Sequence, residues 1–174
     1  MGAFTYGIVY TVWLKRRTCL NIVIGGLAGS FAVLAGAAVV DLALSTEAIL
    51  LAIVLFLWTP PHFWSLAIAA RDDYAANLVP MLPLVVGDRI CARAILAHTV
   101  ALSLIALVPA MFGVGMIYLG FAIVSGCIFT AASFVLARSP TRRNAIRNFF
   151  ASLAQLLLLL TGIVLDRSLL GPLT

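Results

Sequence analysis

Two carboxylates and a run of cations are the side chains in this sequence best suited to holding an anionic substrate. Asp72 and Asp73 lie between Arg71 and Tyr74, just past a long apolar run, and Lys15, Arg16 and Arg17 stand together behind Tyr10-Thr11. Magnesium takes one or two carboxylates and completes its shell with water and phosphate oxygens. Lys binds phosphate as a point charge and Arg as a planar fork. Carboxylates, a divalent ion and these cations are together what a diphosphate needs if it is to be held and then expelled as a leaving group. Each half also has a plainer reading. Surface carboxylates serve as solvated helix caps, and interfacial basic and aromatic residues serve as topological anchors. Neighbouring residues on a helix diverge by about 100°, so Asp72 and Asp73 face one small ion only if the helix ends there.

The setting of the carboxylates favours the chemical reading. The apolar run ends in Thr59-Pro60-Pro61-His62-Phe63-Trp64, and two prolines within a span free carbonyls about one turn back, a defect tolerated where helices or a cavity absorb it. Trp58, His62, Ser65 and Ala69 share one helix face that points toward the two aspartates. Polar groups on such a stripe are expected to line a cavity rather than meet lipid. His62 and Asp73 are about 16 Å apart along an ideal helix, too far to share one ion.

The elements that must position these groups are membrane helices. The chain of 174 residues is 64% hydrophobic and 10% charged, against about 25% charged in ordinary soluble domains. A span needs roughly 20 apolar residues, and five stretches qualify, at about 20–40, 47–70, 93–112, 116–137 and 146–166. Residues 1–10 read as the end of a helix whose beginning is absent. The whole is expected to be all-α, a polytopic transmembrane helical bundle forming one membrane domain over residues 1–174. Of the eleven basic residues behind the net charge of +5, ten fall in alternate loops: Lys15, Arg16 and Arg17; Arg71, Arg89 and Arg93; Arg138, Arg142, Arg143 and Arg147. That is the positive-inside pattern. It puts the basic loops in the cytoplasm and the C-terminus in the periplasm of a bacterial inner membrane, and leaves no basic stripe for nucleic acid. The third basic loop, Arg138 to Arg147, reads chiefly as a topology signal. Cys19, Cys91 and Cys127 lack CxxC spacing and read as packing residues. Gly25 and Gly29 mark a close helix–helix face. The proline-broken stretch 80–87 is too short to span and reads as an interfacial lid, His98 as a packed histidine, and the last span, with Leu156 to Leu160 in a row, as lipid-facing.

Four blocks in order, Tyr10-Thr11 with Leu14-Lys15-Arg16-Arg17-Thr18, Asn21-Ile22-Val23-Ile24-Gly25-Gly26, Leu57-Trp58-Thr59-Pro60-Pro61-His62-Phe63-Trp64, and Asp72-Asp73-Tyr74 with Pro80-Met81-Leu82-Pro83, resemble the heme O synthases of the UbiA superfamily of intramembrane prenyltransferases. The resemblance implies a nine-span fold of which this chain matches the C-terminal portion, and transfer of farnesyl from farnesyl diphosphate to a vinyl carbon of heme B. It carries a magnesium-binding and catalytic role onto Asp72 and Asp73. It carries substrate contacts onto Tyr10, Lys15, Arg16, Arg17, Asn21, His62 and Tyr74, with His62 either touching the porphyrin or bonding a neighbouring side chain. Heme A synthase or a terminal-oxidase assembly is the implied recipient of the product. The family's first Asp-rich motif has no counterpart in these residues, so this chain alone is expected to be inactive. A quinone precursor or chlorophyllide acceptor is the rival enzyme reading. A transporter fragment or non-enzymatic subunit is the other class, and it gives no reason for carboxylates and cations to converge on one membrane face.

Overall fold

The computed structural model describes residues 18, 19, 21–40 and 45–170; Tyr10, Lys15, Arg16 and Arg17 lie outside them. Apolar stretches of membrane-spanning length fold as helices because no water is available to satisfy backbone groups in a bilayer. Five such helices are present among the described residues, each long and apolar enough to cross a membrane. They are α1 (Asn21–Val40), α2 (Thr46–Ala69), α5 (Asp88–Ile105, followed by a 3-10 turn at Val108–Met111), α6 (Met116–Arg138) and α7 (Arg142–Leu170). Two short helices, α3 (Arg71–Ala76) and α4 (Leu82–Val86), connect α2 to α5. The spans expected at 93–112 and 146–166 begin earlier, since Arg89, Arg93, Arg142, Arg143 and Arg147 continue the helices into the interface, where long cationic side chains snorkel.

Local chemistry fixes the ends. Ser45 accepts from the Ala48 amide at 3.2 Å and Glu47 lies in the first turn of α2, both favourable at a helix N-terminus. Pro60 and Pro61 sit inside α2 without ending it. Between α4 and α5 the chain turns at Gly87 with φ 83°, a left-handed conformation that a Cβ disfavours.

Helices α2, α5, α6 and α7 close into a ring in which each packs on the next, and α1 lies against α2. Within the ring, only α6 and α7 are joined by a short turn, while α2 reaches α5 through α3 and α4. On α7 the buried positions Ala145, Asn148, Ser152, Gln155, Leu159, Gly162 and Asp166 recur at alternating steps of three and four, the spacing of a seam between helices. Phe150, Leu153, Leu157, Leu160 and Val164 are exposed. The last span is therefore lipid-facing on one side only, a correction to the reading of it as lipid-facing throughout. The stretch 80–87 forms α4, which packs on α2 and α5 with Met81 and Pro83 buried.

Trp58, His62 and Ser65 of the α2 stripe bond to a neighbouring helix, and Ala69 at the end of the stripe borders a cleft. The neighbouring helix is α7. The Trp58 indole donates to the Ser152 carbonyl at 2.8 Å, His62 meets the Ser152 hydroxyl at 2.7 Å, and Asn148 donates to Ser65 at 2.8 Å. Ser133 of α6 donates to Asn148 Oδ1 at 2.9 Å and lies 3.0 Å from Thr99 Oγ1 of α5. One hydrogen-bonded chain thus joins all four helices through fully buried side chains. Polar groups at this depth need partners, and each helix supplies one.

Close approach falls at Gly26 and Gly29 of α1, where an added Cβ would meet Thr59 at 3.2 Å and Leu55 at 3.4 Å. The tighter case is Gly162 of α7, where a Cβ would sit 2.8 Å from Phe121 Cβ of α6. That atom is fixed to the backbone and cannot swing aside. Gly162→Ala is expected to destabilise the α6–α7 packing by about 1–3 kcal/mol, read as a lower midpoint for unfolding of the detergent-solubilised protein.

Candidate functional site

Helix α2 stops at Ala70, whose φ −114° and ψ 35° break the helical path, and α3 begins at once with Arg71. Asp72 and Asp73 are both exposed in its first turn, where negative charge is favoured. The far end of α3 is closed by Leu78 at φ 52°, with the Val79 amide bonded to the Tyr74 carbonyl at 3.1 Å, a left-handed C-terminal cap. This turn sends Met81 back into the core. Tyr74 packs against that core. Burial pushes its phenol up from the ordinary value, so it remains an O–H donor through the neutral range.

Asp72 and Asp73 line a cleft of about 360 Å³ at this end of the bundle, together with Arg71, Asp88, Pro140 and Arg142. Arg71 is ion-paired with Asp88, which ties α3 to the first turn of α5. Arg142 donates through Nε to the Ala69 carbonyl at 3.2 Å. The third basic loop, expected to be chiefly a topology signal, therefore also contributes to the cleft. Which of its four arginines reaches across depends on packing that no local pattern encodes.

The helix does not end at the two carboxylates: α3 continues through Asp72 and Asp73 to Ala76, so they diverge by about 100° and do not face one small ion together, and each is suited to give magnesium a single ligand. Among the described residues, no group of three or more His, Cys, Asp or Glu side chains is placed to hold a metal. A single exposed carboxylate leaves most of an octahedral shell open to water and phosphate oxygens, as magnesium prefers.

The other site residues divide. Asn21 is fully buried at the start of α1, and its neighbour Ile22 joins Trp64, Ala67, Ile68 and Met81 in one apolar cluster. Chain entry into α1 is thus at the end where α2 leaves toward the aspartates. His62 is deeper, stacked between Trp58 and Phe149 at centroid distances of 4.1 and 4.5 Å. Because the Ser152 hydroxyl donates to the Phe149 carbonyl at 2.6 Å, it accepts from His62 Nδ1. Bonding to a neighbouring side chain is thus realised, and aromatic rings of the same chain cover both faces of the imidazole. His98 bonds the Ala94 carbonyl at 3.0 Å and meets the edge of Trp64, as a packed histidine would.

The described residues thus form a helical bundle with paired aspartates at a basic end, and the comparisons with known proteins give the family. Residues 1–154 match the model of the UbiA prenyltransferase family, and the chain belongs to that family. It is 61% identical over 98% of its length to protoheme IX farnesyltransferase 2 of Paramagnetospirillum magneticum, and 52% identical over 96% to protoheme IX farnesyltransferase 1 of the same organism. It covers 59% of each of these two relatives. It is also 42% identical over 97% of its length to the protoheme IX farnesyltransferase of Thermus thermophilus, covering 28% of that protein. No solved structure matches the chain.

Proposed function

We propose that the protein carrying these residues transfers the farnesyl group of farnesyl diphosphate to the terminal carbon of a heme B vinyl group, while water adds its hydroxyl to the adjacent vinyl carbon and loses a proton, giving heme O and diphosphate. The observation that carries this reading is the cleft in which Asp72 and Asp73 stand beside Arg142 at the basic end of a membrane bundle, in a chain so similar to protoheme IX farnesyltransferases. Magnesium ligated at Asp72 and at Asp73 would neutralise the diphosphate as the allylic carbon–oxygen bond breaks. Charge that develops on the leaving oxygens is stabilised most by groups already in place. The α3 turn supplies this preorganisation: Tyr74 anchors its middle, Arg71–Asp88 its start, and the Leu78 cap its end. Lys15, Arg16, Arg17 and Tyr10 would complete the diphosphate site from the loop before α1, with Asn21 at its base.

The farnesyl chain would lie outside the four-helix ring, because buried side chains occupy the seam beneath the cleft. A porphyrin contact at His62 requires Phe149 to leave the imidazole face. The basic end faces the cytoplasm of a bacterial inner membrane on this reading, and the product passes to heme A synthase or a terminal-oxidase assembly. The carboxylates alone do not select an acceptor; the relatives favour heme B over a quinone precursor or chlorophyllide.

The test is turnover by the gene product in proteoliposomes supplied with farnesyl diphosphate, magnesium and each acceptor in turn, followed by chromatography of the products. Heme O is expected with heme B, and EDTA should abolish its formation until magnesium is restored. Farnesylation of a quinone precursor with heme B untouched would reassign the acceptor. Turnover indifferent to EDTA would remove the role given to the aspartates.

A further inference from the structure

We propose that Arg142 is a diphosphate-binding residue of this cleft, contributed by the start of α7 from across the bundle end. The proposal rests on the reading of the cleft as a prenyl diphosphate site and adds a cation that the paired-aspartate motif does not contain. Of the two arginines lining the cleft, Arg71 is committed to Asp88. Arg142 is exposed, and neither ion pair found among the described residues includes it. Guanidinium carries five N–H donors in a fixed fork. Arg142 uses Nε on the Ala69 carbonyl, a contact that holds the side chain three residues before Asp72, and its terminal nitrogens remain for phosphate oxygens. Arg138 of the same loop lies over the Phe134 ring at 5.0 Å, and Arg143 does not line the cleft.

Charge balance points the same way. With Arg71 and Asp88 cancelling, the cleft holds two carboxylates and one guanidinium, a net charge of −1. A divalent ion brings these cleft residues to +1, so by themselves they attract a diphosphate only once the ion is present. Without Arg142 the same site would be neutral with the ion bound. Arg also matches phosphate geometry with two parallel N–H···O bonds.

The test is binding of inorganic pyrophosphate with magnesium to the purified, detergent-solubilised protein, followed by calorimetry. Arg142→Gln is expected to weaken binding about tenfold to a hundredfold, the range for hydrogen bonds to a charged group. Arg143→Gln removes the same charge outside the cleft and is expected to change binding less than about threefold, as for a surface charge. Arg142→Lys loses the Ala69 contact but keeps the charge, and should recover part of the affinity. Binding by Arg142→Gln within twofold of the parent would overturn the proposal. So would equal losses in Arg142→Gln and Arg143→Gln, which would indicate a diffuse field. Equal losses in the Lys and Gln variants, with lowered melting temperatures in both, would make Arg142 a structural cap. Asp73→Asn separates the two levels: if it binds magnesium pyrophosphate like the parent, the cleft reading itself fails. If Asp73→Asn loses binding while Arg142→Gln retains it, only the role of Arg142 fails.

Discussion

Asp73→Asn should lower heme O formation at least about a hundredfold, some 2.7 kcal/mol of transition-state stabilisation, comparable to removing one preorganised electrostatic contact from an active site. The substitution keeps the size of the side chain and removes its charge, so on the proposed function the cleft loses one of its two candidate magnesium ligands while keeping its shape. The cost to folding should be small, within about 0.5 kcal/mol as for an exposed surface change. Asp73 is exposed, and it is its backbone carbonyl, not its carboxylate, that Asn77 bonds at 2.8 Å. Rate and stability should therefore separate: turnover collapses while the melting midpoint and membrane insertion hold. Excess magnesium should restore part of the rate, because Asp72 remains as a ligand. Parent-like turnover at ordinary magnesium would mean that Asp73 holds no ion needed for the reaction.

Much of this architecture was legible in the sequence because membranes impose coarse rules. Five apolar stretches of spanning length become five helices, and the second and third basic loops meet at one end, as the Arg142–Ala69 contact shows. The partners of the α2 stripe were harder to see. Ser65, Trp58 and His62 were visible as a polar face, but what they touch lies 83 to 94 residues away on α7. The signal was present in the three-four spacing of Asn148, Ser152 and Gln155, yet the Leu156–Leu160 run beside it reads as lipid-facing and hides the seam. A polar face in a membrane helix has two physical solutions, a cavity or a complementary helix, and local sequence does not choose between them. Thr99 and Ser133 were harder still, since a lone hydroxyl can return its hydrogen to its own helix. Only the closed ring brings these two within 3.0 Å.

Asp166 governs the opposite end of the bundle, and its loss should cost more stability than loss of the Asn148 hydrogen bonds in the central seam. Its carboxylate is 2% exposed and accepts from the amides of Gly115, Ile117 and Tyr118 at 2.6, 3.1 and 3.2 Å. These donors open α6, where N–H groups have no partner within their own helix. Asp166→Ala would strand them in a buried position, at a cost of about 3 kcal/mol for charge-assisted bonds lost without replacement. Asn148→Leu breaks two neutral interhelical bonds, but such bonds in membrane bundles average only about 0.6 kcal/mol each. Its expected cost is accordingly nearer 1 kcal/mol. Asp166→Asn keeps one acceptor oxygen and should fall between them. The measurement is unfolding of the purified protein in mixed micelles, with the three variants ranked against the parent. Asp166 lies about 36 Å along α7 from Arg142 at 1.5 Å per residue, so magnesium pyrophosphate affinity should be unchanged wherever Asp166→Ala remains folded. An Asn148→Leu penalty exceeding that of Asp166→Ala would mean that the buried chain through Ser65, Asn148, Ser133 and Thr99, rather than the anchored start of α6, holds the ring closed.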